Sequence, residues 1–424
     1  MKNKKIYLSS IFFFMLLISS CFAFPFTPNS EISNDNDNIA QPFETNLYRV
    51  GETDVLFCFY GVYVDDGYYL STSTDNGLNW TEQGSISGFL NQIYDLDYTT
   101  FHDGTYFYYM ICESFSDSFH FRKGILNANE TITWVAGAQE IDLIASSLHF
   151  NEMVVDSNGN AYGTYYDSNS ADHVELIKNA NTDGTWSTSG GYPKTVLTSS
   201  TRPSLRIDSN NTIYWMFVDS VSSALDLYSV QSDVVTFEVE IAPAIAVLES
   251  FSSTIDQNNN LLIVYNYNSD IYFNVFNLTD GLGTPQTLDS CQSDSRPLIT
   301  FDEKTNDFYV SWFESQIKYQ KWSYQTETFS ETINGTDTIA DFGSNGAVQS
   351  GRYNTFNDLF WVYGASDLHW QYVSFPLDAD RQITEPSEPE EEAIIDNNMI
   401  FIIGGFISFF TILFFIVKAK KDLM

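Results

Sequence analysis

Short apolar stretches alternate with polar turns along most of the chain, and one arrangement of them recurs. Each copy is an apolar strand, a turn of Asp, Asn and Gly residues, and a second strand rich in aromatic side chains; the third copy reads MVVDSNGNAYGTYY. The seven copies begin at Tyr48, Tyr98, Met153, Leu205, Thr254, Ile299 and Gly351. Because these stretches are rich in β-branched and aromatic residues and lack a helical period, they predict strands.

The spacing of the copies predicts the fold. Their polar turns start near residues 51, 100, 156, 208, 256, 302 and 353, which gives gaps of 49, 56, 52, 48, 46 and 51 residues. A third strand follows each copy after a short polar loop. Three or four antiparallel strands repeated at one period are typical of the blades of a β-propeller. We therefore predict an all-β, seven-bladed β-propeller over residues 46–375, rather than a repeated β-sandwich, which does not require so constant a period.

The seventh copy lacks a fourth strand, because its third strand ends at Phe375 and an acidic segment begins soon after. Residues 24–45 form an N-terminal segment before the first copy. Within this segment, residues 39–45 are predicted to form the strand that completes the seventh blade. Such a strand would close the ring and cover an edge that would otherwise be exposed.

The start of the sequence predicts export. Three lysines before residue 6 precede an apolar run at 11–19, which is the pattern of a secretory signal, predicted here over residues 1–23. Cleavage after Ala23 and lipidation of Cys21 are both compatible with this pattern. Either outcome places the repeats outside the cytoplasm.

The end of the sequence predicts a membrane anchor. Residues 399–417 are uncharged and apolar, and 19 such residues are enough to span a bilayer as a helix. Three lysines follow within 418–424, so this tail is predicted to be cytoplasmic. Residues 376–398 before the span form an acidic stalk that contains prolines. Together these segments predict a single-pass protein of the cell membrane with an extracellular N-terminal domain.

The composition excludes some classes of function. The 424 residues include 19 Lys and Arg against 55 Asp and Glu, which gives a net charge of −36. Because nucleic-acid binding requires clustered Lys and Arg, no nucleic-acid partner is expected. The histidines match no zinc motif, and neither a metal site nor a cofactor is predicted. Five glycosylation sequons fit an exported surface and begin at Asn79, Asn129, Asn210, Asn277 and Asn334.

One eight-residue segment carries a family resemblance. Ser73, Asp75, Gly77 and Trp80 match the Asp-box pattern Ser-x-Asp-x-Gly-x-x-Trp, and a degenerate second copy lies at 181–186. On these residues the sequence resembles the sialidase-like (BNR repeat) β-propeller superfamily. The resemblance implies that the box is a structural hairpin at the edge of a blade, in which Asp binds the turn backbone and Trp packs beneath it.

The resemblance also directs attention to arginines. Sialidase-like sites hold a substrate carboxylate with three arginines, because guanidinium binds carboxylate through two hydrogen bonds. Arg202 and Arg296 are each followed by proline and each precede a turn Asp by six residues, so they occupy equivalent places where the innermost strand begins. Arg49 and Arg352 are further candidates. Arg-Pro before a strand also fits a braced loop, in which Arg pairs with a nearby carboxylate.

Two functional classes follow from these observations. The first is a membrane-anchored β-propeller on the cell surface that binds an extracellular glycan or protein ligand at the mouth of the channel without catalysis. The second is a membrane-anchored glycoside hydrolase of the exo-sialidase type, for which the sequence identifies no catalytic Tyr and Glu pair. Because function depends on sites rather than on folds, the fold alone does not decide between them.

Overall fold

In a computed structural model, the chain divides into two compact units, Met1–Asp378 and Ala379–Met424. All described residues belong to the first unit. They are residues 30–31, 47–51, 53–62, 67–86, 97–113, 118–142, 148–167, 173–196, 200–219, 221–245, 251–291, 295–302, 307–313, 317–323, 328–334, 349–350, 353–354, 358–364 and 370–376.

Strands and turns account for the regular structure of these residues, with no helix among them. The first sixteen strands are β1 (Ser30–Glu31), β2 (Leu47–Arg49), β3 (Leu56–Val62), β4 (Gly67–Ser73), β5 (Thr81–Ser85), β6 (Asp97–His102), β7 (Phe107–Glu113), β8 (Ser118–Leu126), β9 (Ile132–Trp134), β10 (Gln139–Asp142), β11 (Leu148–Val155), β12 (Ala161–Asp167), β13 (His173–Lys178), β14 (Lys194–Val196), β15 (Ser200–Ile207) and β16 (Ile213–Asp219). The other sixteen are β17 (Leu225–Gln231), β18 (Val234–Ala242), β19 (Phe251–Ile255), β20 (Leu261–Tyr267), β21 (Asp270–Asn277), β22 (Gly281–Leu282), β23 (Gln286–Ser290), β24 (Leu298–Asp302), β25 (Asp307–Phe313), β26 (Ile317–Ser323), β27 (Thr328–Phe329), β28 (Ile333–Asn334), β29 (Gln349–Ser350), β30 (Tyr353–Asn354), β31 (Asp358–Gly364) and β32 (Trp370–Pro376).

Consecutive strands form six antiparallel blades. Blades 1 to 6 consist of β2–β5, β6–β10, β11–β14, β15–β18, β19–β23 and β24–β28, in that order. In each blade the first strand pairs with the second and the second with the third, and the outer strands pair with the third. A β-propeller has this meander in every blade, so the prediction of a β-propeller is confirmed.

The predicted number of blades is wrong: the propeller has six blades, not seven. The strands of the seventh copy lie in a further sheet with the order β1-β32-β31-β29. Its expected inner strand is divided, because β29 pairs with β31 while β30 pairs in parallel with β24 of blade 6. The N-terminal strand β1 pairs with β32 through Ser30 and Tyr372, whereas residues 39–45, predicted to do so, lie outside the described residues.

The predicted membrane-spanning segment, residues 399–417, also lies outside the described residues. Within the part of the chain that the structure describes, no helix is long and apolar enough to cross a membrane.

The hydrophobic core lies between neighbouring blades. Phe57 and Phe59 of blade 1 pack with Phe107 and Tyr109 of blade 2, and the rings of Phe59 and Phe107 stack at 4.5 Å. One larger cluster joins blades 2, 3 and 4, and others join blade 4 to blade 5 and blade 5 to blade 6. The aromatic residues that dominate the repeat therefore stabilise the contacts between blades. Cys58 is a free, buried thiol within blade 1.

The predicted first turns of blades 3, 4 and 5 share one hydrogen-bonding pattern. The backbone N–H of Asp156 donates to Asn160 O at 3.0 Å, and Asp156 Oδ1 accepts the N–H groups of Asn158 and Asn160. Asp208 and Asp256 repeat these contacts in blades 4 and 5. Because a short carboxylate can satisfy the turn backbone, Asp is suited to this position.

These turns also bind one another from blade to blade. Asn259 Oδ1 accepts hydrogen bonds from the N–H and the hydroxyl of Ser209, at 3.0 and 2.9 Å. Asn211 contacts Ser157 of the preceding blade in a similar way: its Oδ1 accepts the Ser157 N–H at 2.8 Å, and its Nδ2 donates to the Ser157 hydroxyl oxygen at 2.9 Å. Asn211 and Asn259 both have φ of 63°, a left-handed conformation that Asn tolerates. The first turns of blades 3, 4 and 5 therefore lie side by side.

Replacing Asn259 with Gly should remove the contact with Ser209 without straining the backbone, since Gly adopts positive φ freely. We expect the free energy of unfolding to fall by about 0.5–1.5 kcal/mol, the net value of a typical hydrogen bond. Chemical denaturation measures this change. In a Ser209→Ala background, which already lacks one of the two donors, the Asn259→Gly change should cost less; an undiminished cost would contradict the contact.

Candidate functional site

The blades define two ends, which we name by their connections. The turn face carries the turns between the first and second strands and between the third and fourth strands of each blade. The entry face is the opposite end, where the chain enters each first strand from the preceding blade. First strands run in the same direction around a propeller, and the neighbouring turns of blades 3, 4 and 5 show this directly.

The structure places Arg49 at the turn face, because it ends the first strand of its blade. Its guanidinium donates to the side-chain carbonyl of Asn76 and, at 3.4 Å, to the backbone carbonyl of Thr53. The carboxylate of Asp54 lies 3.8 Å away. Arg49 therefore connects the first turn of blade 1 to the Asp-box segment and does not lie with the arginines of the entry face.

The Asp-box segment is a turn at the outer edge of blade 1 with several hydrogen bonds of its own. Asp75 Oδ1 accepts the Ser73 hydroxyl and the Asn79 N–H, both at 2.8 Å, and Asp75 Oδ2 accepts the Asn79 amide at 2.6 Å. Gly77 adopts φ of 89°, and Trp80 Nε1 donates to Gly77 O at 3.1 Å. Burial raises the pKa of Asp75, but the hydrogen bonds from Asn79 and Ser73 outweigh it and lower the pKa overall. The motif stabilises a turn.

Arg202 lies near the start of β15, and Arg296 lies just before the start of β24, so both are at the entry end of a first strand. Arg202 and Pro203 fall in a β-bulge of β15, where the pairing register shifts between Thr201 and Ser204. Bulges redirect side chains and are frequent beside functional sites.

Arg296 is half-buried and lies two residues before β24, between the buried Ser295 and Pro297. Asn266 of blade 5 donates to Ser295 O at 3.0 Å and holds this segment in place. Arg352 lies outside the described residues.

A buried ion pair joins the inner strands of three blades. Glu152 of β11 is fully buried and accepts hydrogen bonds from the Arg206 guanidinium and the Leu205 N–H, both of β15. Arg206 is 5% exposed, and its Nε donates to Ser253 O of β19 at 2.6 Å. This group therefore ties blades 3, 4 and 5 together around the inner strands. Each charge compensates the other in a place where an unpaired charge is very costly.

The spacing argument selected Arg202 and overlooked Arg206. One feature of the sequence could have identified Arg206. It is an arginine within an apolar inner strand, two residues before the turn Asp, and the third, fifth and sixth copies have Val154, Thr254 and Thr300 at this position. Its partner Glu152 is 54 positions earlier, in another blade. A single sequence carries no indication of a pairing over that separation.

A tyrosine and a glutamate do meet in blade 3, but on its second and third strands. Tyr165 is buried and donates to Glu175, its direct cross-strand partner, and Thr195 of the outer strand donates to the other carboxylate oxygen at 3.1 Å. The pair lies away from the inner strand to which Arg202 belongs. It satisfies a buried phenol and does not form a group with the entry-face arginines.

Lysines on third strands make a second kind of contact between blades. Lys123 lies over the ring of Tyr106 at 3.9 Å and donates to Thr182 O of blade 3 at 2.8 Å. Lys178 of blade 3 donates to Asp233 of blade 4 at 3.0 Å. These cations are used between blades, where they neutralise charge and cover aromatic rings.

Blade 4 carries an acidic group near the entry face. Asp226 is half-buried and lies opposite Glu240 in the pairing of β17 with β18, and Asp219 ends β16. Burial, followed by repulsion from Asp219 and Glu240, raises the pKa of Asp226 to about 6. The folded state therefore disfavours the ionised form of this carboxyl.

Replacing Asp226 with Asn should raise the melting temperature at pH 7 to 8. The folded-state pKa of Asp226 lies above its ordinary value, so ionisation destabilises the fold as pH rises from the ordinary value of 3.8 to about 6. As the pH falls from about 6 to 3.8, the gain in melting temperature from Asp226→Asn should shrink, and below this range it should vanish. Thermal unfolding from pH 3.5 to 8 measures the difference, and a gain that does not depend on pH would contradict the assignment.

Several solved structures align with much of the chain. A structure from a study of two prolyl endopeptidases aligns with a TM-score of 0.50 and 8% identity, covering 80% of this chain and 49% of that one. AofleA from Arthrobotrys oligospora aligns with a TM-score of 0.48 and 12% identity over 73% of this chain and 90% of its own. Polysaccharide lyase Uly1 aligns with a TM-score of 0.48 and 11% identity, covering 80% of this chain and 90% of its own. At such identities the likeness concerns the fold alone.

No protein-family model matches the sequence, and no curated protein matches it. The class that the blades define is a β-propeller. The sialidase-like resemblance of residues 73–80 has no support from a family match and stays a prediction.

Proposed function

We propose that the protein is a non-catalytic binding propeller, which holds an anionic group of a glycan or of another protein at the entry face. The observation that carries this proposal is the placement of Arg202 and Arg296. Both mark the start of an inner strand, one in a β-bulge and the other in a segment held by Asn266. Arginines at the starts of two inner strands suit a carboxylate, because a guanidinium binds a carboxylate through paired hydrogen bonds.

The use of the other ionisable groups supports binding over hydrolysis. A retaining sialidase mechanism needs a tyrosine nucleophile with a glutamate base, and an acid beside them. The buried Glu152 is occupied by Arg206 and Leu205, and Tyr165 with Glu175 belongs to the outer half of blade 3. These groups stabilise the blades, which is the role that their burial and partners favour.

Location on the outer side of a cell membrane belongs to the same proposal. Its support is the secretory pattern of residues 1–23 and the apolar segment 399–417 followed by lysines. Protease added to intact cells should remove residues 50–375. Their protection would contradict this location.

Screening the purified full-length protein on an array of neutral and acidic glycans tests the proposal. We expect retention of carboxylate-bearing glycans over their neutral counterparts, and no release of fluorophore from a fluorogenic sialoside. Turnover of the sialoside that is lost when Arg202 or Arg296 is replaced would instead identify a hydrolase. Equal retention of neutral and acidic glycans would contradict the role of the two arginines.

A further inference from the structure

Four of the five glycosylation sequons fall on the same face of the propeller. Asn79 lies in the turn between the third and fourth strands of blade 1, and Asn129 in the corresponding turn of blade 2. Asn210 lies in the first turn of blade 4, and Asn277 ends the third strand of blade 5. All of these turns belong to the turn face. The fifth, Asn334, is in β28 and pairs with Lys318 near the start of the third strand, which is the entry end.

The four asparagines of the turn face are accessible. Asn79, Asn129 and Asn210 are exposed, and Asn277 is half-buried at the end of its strand. In the Asn129 sequon, the Thr131 hydroxyl donates to Asn129 Oδ1 at 2.7 Å, so the two side chains that define the sequon are in direct contact.

Glycan attachment is compatible with the turn contacts. The amides of Asn79 and Asn277 donate to Asp75 and Asp280 at 2.6 and 3.3 Å. A glycosylated asparagine keeps one N–H on Nδ2, so one donor remains for each of these carboxylates.

We propose that Asn79, Asn129, Asn210 and Asn277 carry N-linked glycans that cover the turn face and leave the entry face, which has the single sequon at Asn334, more open to the ligand. The proposal rests on the export included in the proposed function, because the donor, an oligosaccharide joined through phosphate to a lipid, is used outside the cytoplasm. Nδ2 of each asparagine attacks the anomeric carbon of the donor sugar. The C–N bond forms, the C–O bond to the lipid phosphate breaks, one amide proton passes to a base, and the lipid phosphate leaves.

Glycans on the turn face would determine the side from which a ligand approaches the propeller. Bulky, hydrated glycans at four of the turns would obstruct docking of a macromolecule on that face. A ligand would then approach from the end where Arg202 and Arg296 begin their strands. This assigns the turn face a shielding role, which the hydrogen bonds between its turns do not by themselves imply.

Site mapping by mass spectrometry tests the proposal on the full-length protein isolated from the cells that produce it. Amidase treatment converts a glycosylated Asn to Asp, so at least three of the four peptides should show this conversion. Recovery of two or more with unmodified asparagine before treatment would overturn the proposal. The result does not depend on ligand binding and is therefore separate from the test of the arginines.

Variants that spare the turns strengthen the assignment. Thr81→Val and Thr279→Val remove the sequons while keeping Asn79 and Asn277 in their hydrogen bonds, and Thr81→Ser and Thr279→Ser restore them. Each Val variant should lose one glycan in gel migration, and each Ser variant should regain it. Identical migration of the Val and Ser proteins would overturn the assignment of that site.

Discussion

Replacing Arg206 with Met should lower the free energy of unfolding by about 3–5 kcal/mol, because it leaves Glu152 charged and unpaired in the interior. The free energy of unfolding of an ordinary domain is about 5–15 kcal/mol, so this loss is a large fraction of the total stability. Glu152 has no exposed surface and Arg206 only 5%, so water cannot readily replace the lost partner. Chemical denaturation of the purified protein measures the change.

The matched control is the double variant Glu152→Gln with Arg206→Met. Gln retains an acceptor for the Leu205 N–H and removes the buried charge, and Met fills much of the volume of Arg. The double variant should therefore be more stable than Arg206→Met alone, and a double-mutant cycle isolates this coupling. Additive losses, or a loss below about 1 kcal/mol for Arg206→Met, would contradict the assigned role of the ion pair.

Replacing Arg202 or Arg296 with Ala should weaken binding of an acidic ligand roughly ten- to a hundredfold, with little change in stability. A charge-assisted hydrogen bond contributes about 1.5–3 kcal/mol, which corresponds to that range. A protein with a net charge of −36 repels anions at long range, so an anion must be held by local contacts. Binding titrations with an acidic glycan retained on the array measure the loss.

Arg49→Ala is the control for this prediction. Because Arg49 binds Asn76 and Thr53 at the turn face, its loss should reduce the stability of blade 1 and leave affinity unchanged. If Arg202→Ala and Arg296→Ala lower the melting temperature and leave affinity unchanged, both arginines only brace loops, and the proposed function loses its main support.

The repeat allowed the β-propeller to be predicted from the sequence, because strand and turn composition is a local property. The turns at Asp156, Asp208 and Asp256 have the predicted form for that reason. The number of blades was wrong because the seventh copy resembles the others in composition, while the pairing of β29 and β30 with different sheets depends on distant strands.

In the candidate site, too, local features could be predicted from the sequence and contacts between distant residues could not. The equivalent placement of Arg202 and Arg296 follows from their spacing to a turn. The burial of Arg206, its pairing with Glu152 and the position of Arg49 beside Asn76 follow from how blades and turns meet. Contacts of this kind join residues far apart in sequence or depend on the packing of neighbouring turns, and residue patterns do not determine them.

The central claim is that an acidic ligand binds the entry face through Arg202 and Arg296, and a solved structure of the complex tests it most directly. We expect the carboxylate of the bound glycan at the entry face, within hydrogen-bond distance of both guanidinium groups. A ligand bound on the turn face, or one at the entry face whose acidic group contacts neither arginine, would contradict the account.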